Sequence, residues 1–151
     1  MPSPILKRLT LDDMDDAALV HRAAFDERLP WLAGLHTPEE DRRFYREQVF
    51  TGCEIWGAVE HERIVGVIAF REDWIDHLYV LPSAQGRGAG SALLAIARSG
   101  AERLSVWTFQ RNAGARRFYE RRGFAVIKET DGRDNEENEP DALYSWPAPR
   151  A

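Results

Sequence analysis

The chain has 151 residues, of which 44% are hydrophobic and 30% are charged, so its size and composition suit one folded domain over residues 1–151. Its formal net charge of -5 argues against nucleic acid as the main partner, because phosphate binding needs a basic face. No apolar run is long enough to span a bilayer and residues 1–7 lack the apolar stretch of a secretory signal, so we expect a cytoplasmic protein without membrane contact.

The first third of the chain predicts two helices. A cap residue followed by clustered acids is typical of a helix start, so we expect a first helix over residues 11–25. A sharper signal follows, with Thr37 as N-cap, Pro38 in the first helical position and Glu40 completing a capping box. The second helix should therefore run from Pro38 to about Val49.

Short apolar segments after the second helix predict three consecutive antiparallel strands. Residues 54–60 and 63–70 are β-rich and are separated by two polar residues, as in a hairpin. Residues 74–81 continue as a third strand, which ends at Pro82 because proline cannot donate a hydrogen bond to the ladder.

The second half of the chain alternates helices and strands. The apolar spacing predicts, in order, a helix over residues 88–98, a strand over 104–109, a helix over 112–122, a strand over 124–128 and a last strand over 142–146. The strand, helix, strand order implies parallel pairing of the strands over residues 104–109 and 124–128. A polar loop with six acids, residues 131–141, precedes the last strand.

The most informative segment joins the third strand to the next helix and contains Gly86, Gly88 and Gly90. Glycines there leave successive backbone N–H groups uncovered at a helix N-terminus, where the macrodipole adds about half a positive charge. The segment therefore predicts an anion site suited to a diphosphate, with the charge of Arg87 nearby, although a plain turn into the helix is the alternative. A dinucleotide-binding turn does not fit because its third glycine falls on Ser91, and the Gly-Lys-Ser/Thr run of a P-loop is absent.

This segment resembles the signature of the GNAT superfamily of acetyl-CoA dependent N-acetyltransferases, Gln/Arg-x-x-Gly-x-Gly/Ala, which reads here Gln85-x-x-Gly88-x-Gly90. A second block is similar to that family, because Asn112 opens a helix that carries an aromatic pair. The resemblance covers about residues 56–146. It implies an α/β (α+β) fold whose mixed, mostly antiparallel central sheet has about six to seven strands, is flanked by about four helices and is splayed at the cofactor site.

The resemblance implies acetyl-CoA as the cofactor. The pantetheine arm of the cofactor would pair with the third strand, and its pyrophosphate would lie on the glycine segment. Asn112 would bind the cofactor near the thiol end and would also cap the helix that it opens. The implied cofactor-binding residues are Leu78, Tyr79, Val80, Gln85, Gly86, Arg87, Gly88, Ala89, Gly90, Ser91 and Asn112. Because the pantetheine arm needs unpaired backbone groups, the sheet should split between the third strand and the strand over residues 104–109.

Tyr119 occupies the position at which many members of the family place a general acid for the departing thiolate. A phenol with a reference pKa of about 10 is protonated at neutral pH, as this role requires, and core packing beside Phe118 is the alternative. The base stays open between Asp76, His77 and a water chain. Asp76 and His77 should point to opposite faces of their strand, so at most one faces the cleft. Some members use an acid five positions before the helix-opening Asn, where this chain has Trp107.

The candidate substrate-binding residues are Trp31, in the loop between the first two helices, and Asp76. A core or interface role is the alternative for Trp31, and the acidic loop over residues 131–141 either attracts a cationic amine or is merely solvated. We expect acetyl transfer to a small-molecule or peptide primary amine. The amine should attack directly in a ternary complex, because the single cysteine, Cys53, is not placed as a covalent carrier. One cysteine also cannot form a cysteine-based metal cluster. The alternatives are a non-catalytic domain that binds or senses acyl-CoA, and a structural domain that keeps only the fold, as a homodimer through its last strand.

Overall fold

A computed structural model describes residues 4–149. In chain order the elements are β1 (Ile5–Arg8), α1 (Met14–Arg28), α2 (Pro38–Phe44), β2 (Glu54–Glu60), β3 (Arg63–Arg71), β4 (Trp74–Val80), α3 (Ala89–Ser99), β5 (Leu104–Phe109), α4 (Ala113–Glu120), β6 (Ala125–Glu129) and β7 (Asp141–Trp146). Over this range the chain forms one seven-stranded sheet in the order β1-β2-β3-β4-β5-β7-β6, and four helices flank it. The predicted fold class, with its mostly antiparallel sheet, is confirmed.

Two buried clusters lie on opposite faces of the sheet. Val67 packs in the cluster under α1 and α2, whereas the next residue, Ile68, packs in the cluster under α3 and α4. Both side chains are fully buried, as expected where successive residues of a central strand alternate between two covered faces. Among the described residues no helix is both long and apolar enough to cross a membrane.

Of the two N-terminal helices, the second begins where its cap predicted it. The first was predicted over residues 11–25, but a 3₁₀ turn occupies Leu11–Asp13 and the α-helix runs over Met14–Arg28. The capping box is confirmed at α2, where the Glu40 N–H donates to Thr37 Oγ1 at 3.1 Å and the Thr37 N–H donates to Glu40 Oε1 at 2.8 Å. A π-helical turn over Tyr45–Val49 and a last turn over Phe50–Gly52 extend this helix. The π-helical turn was not predicted, and such single turns within α-helices are frequent at functional sites.

Two details of the sheet differ from the prediction. Strand β1 was missed, because it is short and exposed and becomes a strand only by pairing with β2, where Lys7 lies opposite Gly57. The predicted direct pairing of β5 with β6 is wrong. Strand β7 lies between them and is antiparallel to both, so that Tyr144 faces Val106 on one side and Val126 on the other.

The sheet opens between its two central strands. Strands β4 and β5 are parallel neighbours joined through α3, but they pair only at Trp74 with Ser105 and at Ile75 with Val106. Beyond these two positions the strands diverge, so the predicted split is confirmed. The backbone of β4 on that side is therefore left without a neighbouring strand, and the gap positions the candidate site.

Candidate active site

A cleft of about 420 Å³ opens where β4 and β5 diverge. Its walls come from α1, from the end of β4 and the glycine segment, and from β5 and α4. The fold brings together at this cleft thirteen of the residues predicted from the sequence, namely Asp76, His77, Leu78, Tyr79, Val80, Gln85, Gly86, Gly88, Ala89, Gly90, Ser91, Asn112 and Tyr119.

The backbone at the end of β4 alternates between β3 and the gap. The N–H of Leu81 donates to the Val65 carbonyl on β3 at 2.8 Å, so the backbone of Tyr79, two residues earlier, also faces β3. The backbone groups of Leu78 and the N–H of Val80 therefore face the gap. The backbone of Tyr79 was predicted to contact the pantetheine arm, but it faces β3 and not the gap.

The glycine segment presents a row of free donors. Among the described backbone hydrogen bonds, none is donated by the N–H groups of residues 86–91, which lead into the first turn of α3. Gly86 and Gly88 have φ angles of 78° and 90°, in the left-handed region that favours glycine. A Cβ on Gly90 would lie 3.1 Å from the Phe118 ring, so this glycine lets α3 approach α4 closely. The row fits an anionic group such as a diphosphate.

Two predicted residues lie away from the cleft. The Arg87 side chain turns towards the β2–β3 hairpin, where its Nη2 lies 2.6 Å from Glu60 Oε1, so only its backbone belongs to the donor row. Trp31 donates from Nε1 to Glu139 Oε1 at 2.8 Å, and the Arg111 guanidinium lies 3.7 Å from the centroid of its ring. Neither side chain lines the cleft, because each has an oppositely charged or polar partner elsewhere.

Sequence reasoning missed two arginines that do line the cleft. Arg122 donates from Nε and Nη2 to Ser91 Oγ at 3.0 and 2.6 Å, and its guanidinium lies over the Phe118 ring. Arg28, at the end of α1, donates from Nη2 to Gln85 Oε1 at 2.5 Å. These arginines supply the positive charge that had been assigned to Arg87. The position of Arg122 just after the aromatic block of α4 was the one local signal that could have indicated it.

Helix α4 carries the predicted Asn112 and Tyr119. Asn112 caps the helix, since its Oδ1 accepts the Ala115 N–H at 3.1 Å. Tyr119 is 5% exposed and packs against Phe118 and Phe124, with ring centroids 5.2 and 5.1 Å away. Burial raises the pKa of the Tyr119 hydroxyl above its usual value, so the phenol stays protonated at neutral pH. Tyr119 thus combines core packing with a position on the cleft wall.

The expectation that Asp76 and His77 point to opposite faces is wrong. Successive residues of β3 pair with Ile75 and with His77, so Asp76 is an extra residue at a β-bulge. The bulge turns Asp76 towards the face covered by α1 and α2, where Arg71 donates from Nε at 2.7 Å and Cys53 donates from Sγ at 3.2 Å, both to Asp76 Oδ2. The thiol is protonated at neutral pH, because burial and the hydrogen bond to Asp76 raise the pKa of Cys53 to about 12.

His77 lies on the same face within an aromatic cluster. Its ring centroid is 5.2 Å from that of His21, 5.6 Å from that of Phe44 and 5.9 Å from that of Tyr45. Burial lowers the pKa of His77 to about 4, so its imidazole is neutral at physiological pH. No hydrogen bond of its ring nitrogens is found within residues 4–149, whereas Nδ1 of His21 lies 2.6 Å from the Tyr45 hydroxyl. Of the two candidate bases, Asp76 has hydrogen-bond donors on its carboxylate, whereas His77 has no such partner among the described residues.

A second cavity, of about 510 Å³, shares residues 107–109 of β5 with the cleft. Its charged lining residues are Lys128, Asp131, Arg133, Asp134, Glu137 and Asp141. Burial raises the pKa of Glu137 above its usual value. The acidic loop therefore lines a concave surface beside the cleft.

Comparison with known proteins identifies an acetyltransferase signal. The acetyltransferase (GNAT) domain family matches residues 51–126. The peptidyl-lysine N-acetyltransferase YiaC of Escherichia coli is 25% identical over 103 residues, which cover 68% of this chain and 69% of that protein.

Two solved structures share the fold. The apo-form of YjaB from Escherichia coli has a TM-score of 0.79 at 20% identity, covering 96% of this chain and 98% of that chain. The PaiA N-acetyltransferase from Thermoplasma acidophilum, solved in complex with coenzyme A, has a TM-score of 0.74 at 18% identity, covering 95% of this chain and 98% of that chain.

Proposed function

Because this chain belongs to the acetyltransferase (GNAT) family, we propose that it transfers the acetyl group of acetyl-CoA to a primary amine by direct attack of the amine within a ternary complex. Family membership makes it an acyltransferase with acetyl-CoA as the donor. The observation that carries the finer proposal is the joint position of three features on one cleft. These are the free N–H row of residues 86–91, the unpaired edge of β4 and the hydroxyl-bearing ring of Tyr119.

The cleft suits the donor in two parts. The N–H row and the guanidinium of Arg122 favour the pyrophosphate, since backbone donors at a helix start and a full positive charge act on the same anion. The backbone of Leu78 and the N–H of Val80 favour the pantetheine arm, which would pair with β4 as a neighbouring strand does. The two parts meet at Gln85, whose Nε2 donates to the Val80 carbonyl at 2.9 Å.

Acetyl-CoA supplies the thioester, and the side chains handle the protons. The amine nitrogen bonds to the carbonyl carbon and the carbon–sulfur bond breaks, while Tyr119 donates its proton to the leaving sulfur. The amine attacks in its neutral form, after its ammonium group has lost one proton to water, and His77 accepts the second proton, which the nitrogen loses once it is bonded to the carbonyl carbon. Because the pKa of His77 is about 4, it holds this proton briefly and passes it to water, which also returns a proton to Tyr119. Asp76 is less suited to this role because Arg71 and Cys53 already donate to its carboxylate.

The acceptor is a primary amine that is positively charged in solution. An alkylammonium group has a pKa of about 10.4, so it is attracted to carboxylates at neutral pH. Four of the six charged residues that line the second cavity are acidic, and this cavity adjoins the cleft at residues 107–109. A lysine side chain of a peptide is one such acceptor, in keeping with the peptidyl-lysine activity named for YiaC.

An assay of amine-dependent thiol release tests the proposal. The chain is incubated with acetyl-CoA and separate primary amines, including lysine peptides, amino acids and polyamines, and free coenzyme A is measured with a thiol reagent. Mass spectrometry of the amine should detect the gain of one acetyl group. A chain that binds coenzyme A by calorimetry but acetylates none of these amines would instead be a sensing domain.

A further inference from the structure

Arg28 connects the two walls of the cleft. It is the last residue of α1, and its Nη2 donates to Oε1 of Gln85, at the start of the glycine segment, over a distance of 2.5 Å. Gln85 is itself fixed, because its Nε2 donates to the Val80 carbonyl. The guanidinium therefore has a defined place in the cleft lining rather than a mobile one in solvent.

Gly114 supplies the notch that holds this guanidinium from the other wall. A Cβ at Gly114, in the first turn of α4, would overlap the Arg28 side chain. Glycine within a helix is unfavourable relative to alanine, and Gly114 does not have the positive φ that would otherwise require it. Its presence is explained by the space that the guanidinium occupies.

The position of Arg28 completes a charged frame around the N–H row. Arg122 is hydrogen-bonded to Ser91 at the end of the row, and Arg28 is hydrogen-bonded to Gln85 just before its start. An anion on residues 86–91 would thus lie between two guanidinium groups. Arg28 also has an ion pair with the half-exposed Glu27, formed through Nε at 3.2 Å, which leaves Nη1 and the second hydrogen of Nη2 as donors.

We propose that Arg28 is a cofactor-positioning residue whose guanidinium binds the diphosphate of acetyl-CoA at the start of the N–H row. This inference rests on the proposed function. Guanidinium groups bind phosphate oxygens through paired, charge-assisted hydrogen bonds, and the notch at Gly114 orients the planar group for such contacts. Because Arg28 ends the helix that leads into the loop of Trp31, the same contact links donor binding to the loop between α1 and α2.

The test compares donors with and without phosphates. Arg28→Gln should weaken binding of coenzyme A by about 10- to 100-fold in calorimetry, the range for loss of a charged hydrogen bond. The KM for acetylpantetheine, which has no diphosphate, should stay the same, and so should kcat at saturating acetyl-CoA. Arg103→Gln is the matched control, since it removes the same charge from an exposed arginine paired with Asp73. Arg28→Lys should bind coenzyme A with intermediate affinity.

Gly114→Ala provides an independent variant that keeps the arginine. The added methyl group should displace the guanidinium and weaken coenzyme A binding, and the double variant Arg28→Gln/Gly114→Ala should bind no more weakly than Arg28→Gln alone. If the losses of coenzyme A affinity in the two single variants add up in the double variant, Gly114 does not act by making room for the Arg28 guanidinium.

Three results would overturn the proposal. Equal losses for coenzyme A and acetylpantetheine would mean that Arg28 shapes the cleft without contacting phosphate. If Arg28→Gln binds coenzyme A as tightly as the unaltered chain or more tightly, and the unaltered chain acetylates amines, Arg28 does not bind the diphosphate and the proposed function stands. If the unaltered chain does not bind coenzyme A, both the role of Arg28 and the proposed function are wrong.

Discussion

The guanidinium of Arg71 donates to both carboxylate oxygens of Asp76, from Nε to Oδ2 at 2.7 Å and from Nη2 to Oδ1 at 3.2 Å. This paired geometry fixes the bulged residue of β4 and engages both oxygens of its carboxylate with one cation. His77, the next residue, has a neutral imidazole with no such partner among residues 4–149. The two candidate bases at the β-bulge therefore differ in their partners, since Asp76 is paired with an arginine and His77 has no hydrogen-bond partner among the described residues.

Substitution of these two residues should therefore have unequal effects on turnover. Asp76→Asn preserves the shape of the side chain and should leave kcat/KM within about threefold of the unaltered chain, whereas His77→Gln should lower it by about 10²-fold. Steady-state acetyl transfer with one amine measures both, and circular dichroism checks the fold. The reverse order of effects would identify Asp76 as the base, and a small effect of both would leave the proton to a water chain.

Gly88→Val should disrupt the anion site through the backbone. Gly88 has a φ of 90°, which a β-branched residue adopts only at a cost of about 1–2 kcal/mol, while a Cβ there would meet no atom within 4 Å. The expected result is a loss of coenzyme A affinity in calorimetry together with lower thermal stability.

Gly100→Ala is the control for this substitution. Gly100 has no positive φ, and no atom lies within 4 Å of the position that a methyl group would take, so this change should leave affinity and stability as they are. A folded Gly88→Val variant that bound coenzyme A as well as the unaltered chain would show that the N–H row is not the pyrophosphate site.

Features with local signals could be predicted from the sequence. The capping box of Thr37 and Glu40 and the glycine segment depend on residues within a few positions, and their structures follow from the backbone groups that those residues cap or uncover. The order of strands β2 to β4 is equally local, since each connection is short. The predicted split of the sheet came from the family resemblance rather than from local pattern.

Features that depend on distant pairing were missed. Arg28 and Gln85 are 57 residues apart, and Arg122 and Ser91 are 31 residues apart, so no sequence window contains either contact. The bulge at Asp76 arises from the register with β3, and strict alternation of side chains cannot predict it. The insertion of β7 between β5 and β6 is likewise a property of the assembled sheet.

The two histidines of the aromatic cluster, His21 and His77, should make the chain less stable in mild acid. The pKa of His77 is about 4 in the folded chain against an ordinary value of 6.5, and burial also lowers the pKa of His21 well below its usual range. These histidines therefore bind a proton more tightly in the unfolded chain than in the folded chain. Their contribution to the free energy of unfolding is fully present above pH 6.5 and declines as the pH falls towards 4. For His77 alone the full loss is ~3 kcal/mol.

Denaturant unfolding at several pH values measures this effect. His77→Gln should flatten the stability curve between pH 6.5 and 4 relative to the unaltered chain, while His61→Gln, at an exposed turn, should not. Carboxylates that titrate in the same interval contribute equally to both variants, so the difference between the curves isolates the histidine. Parallel curves for all three chains would mean that His77 is readily protonated in the folded state.

Tyr119→Phe should lower turnover and leave donor affinity nearly unchanged. The hydroxyl is protonated across the working range because burial raises its pKa, and its proton is needed only when the thiolate leaves. The ring contacts with Phe118 and Phe124 are retained in phenylalanine. No hydrogen bond of the Tyr119 hydroxyl is found in the part of the chain that the structure describes, so its removal should have little effect on stability.

Kinetics and binding together distinguish catalysis by Tyr119 from packing. Loss of one positioned general acid costs about 10²- to 10⁴-fold in rate, so kcat should fall by that factor while the dissociation constant of acetyl-CoA stays within about threefold. A role in packing alone would preserve kcat, because phenylalanine fills the same volume between α4 and the sheet. Turnover of Tyr119→Phe close to that of the unaltered chain would therefore assign protonation of the thiolate to water and leave Tyr119 as a core residue at the wall of the cleft.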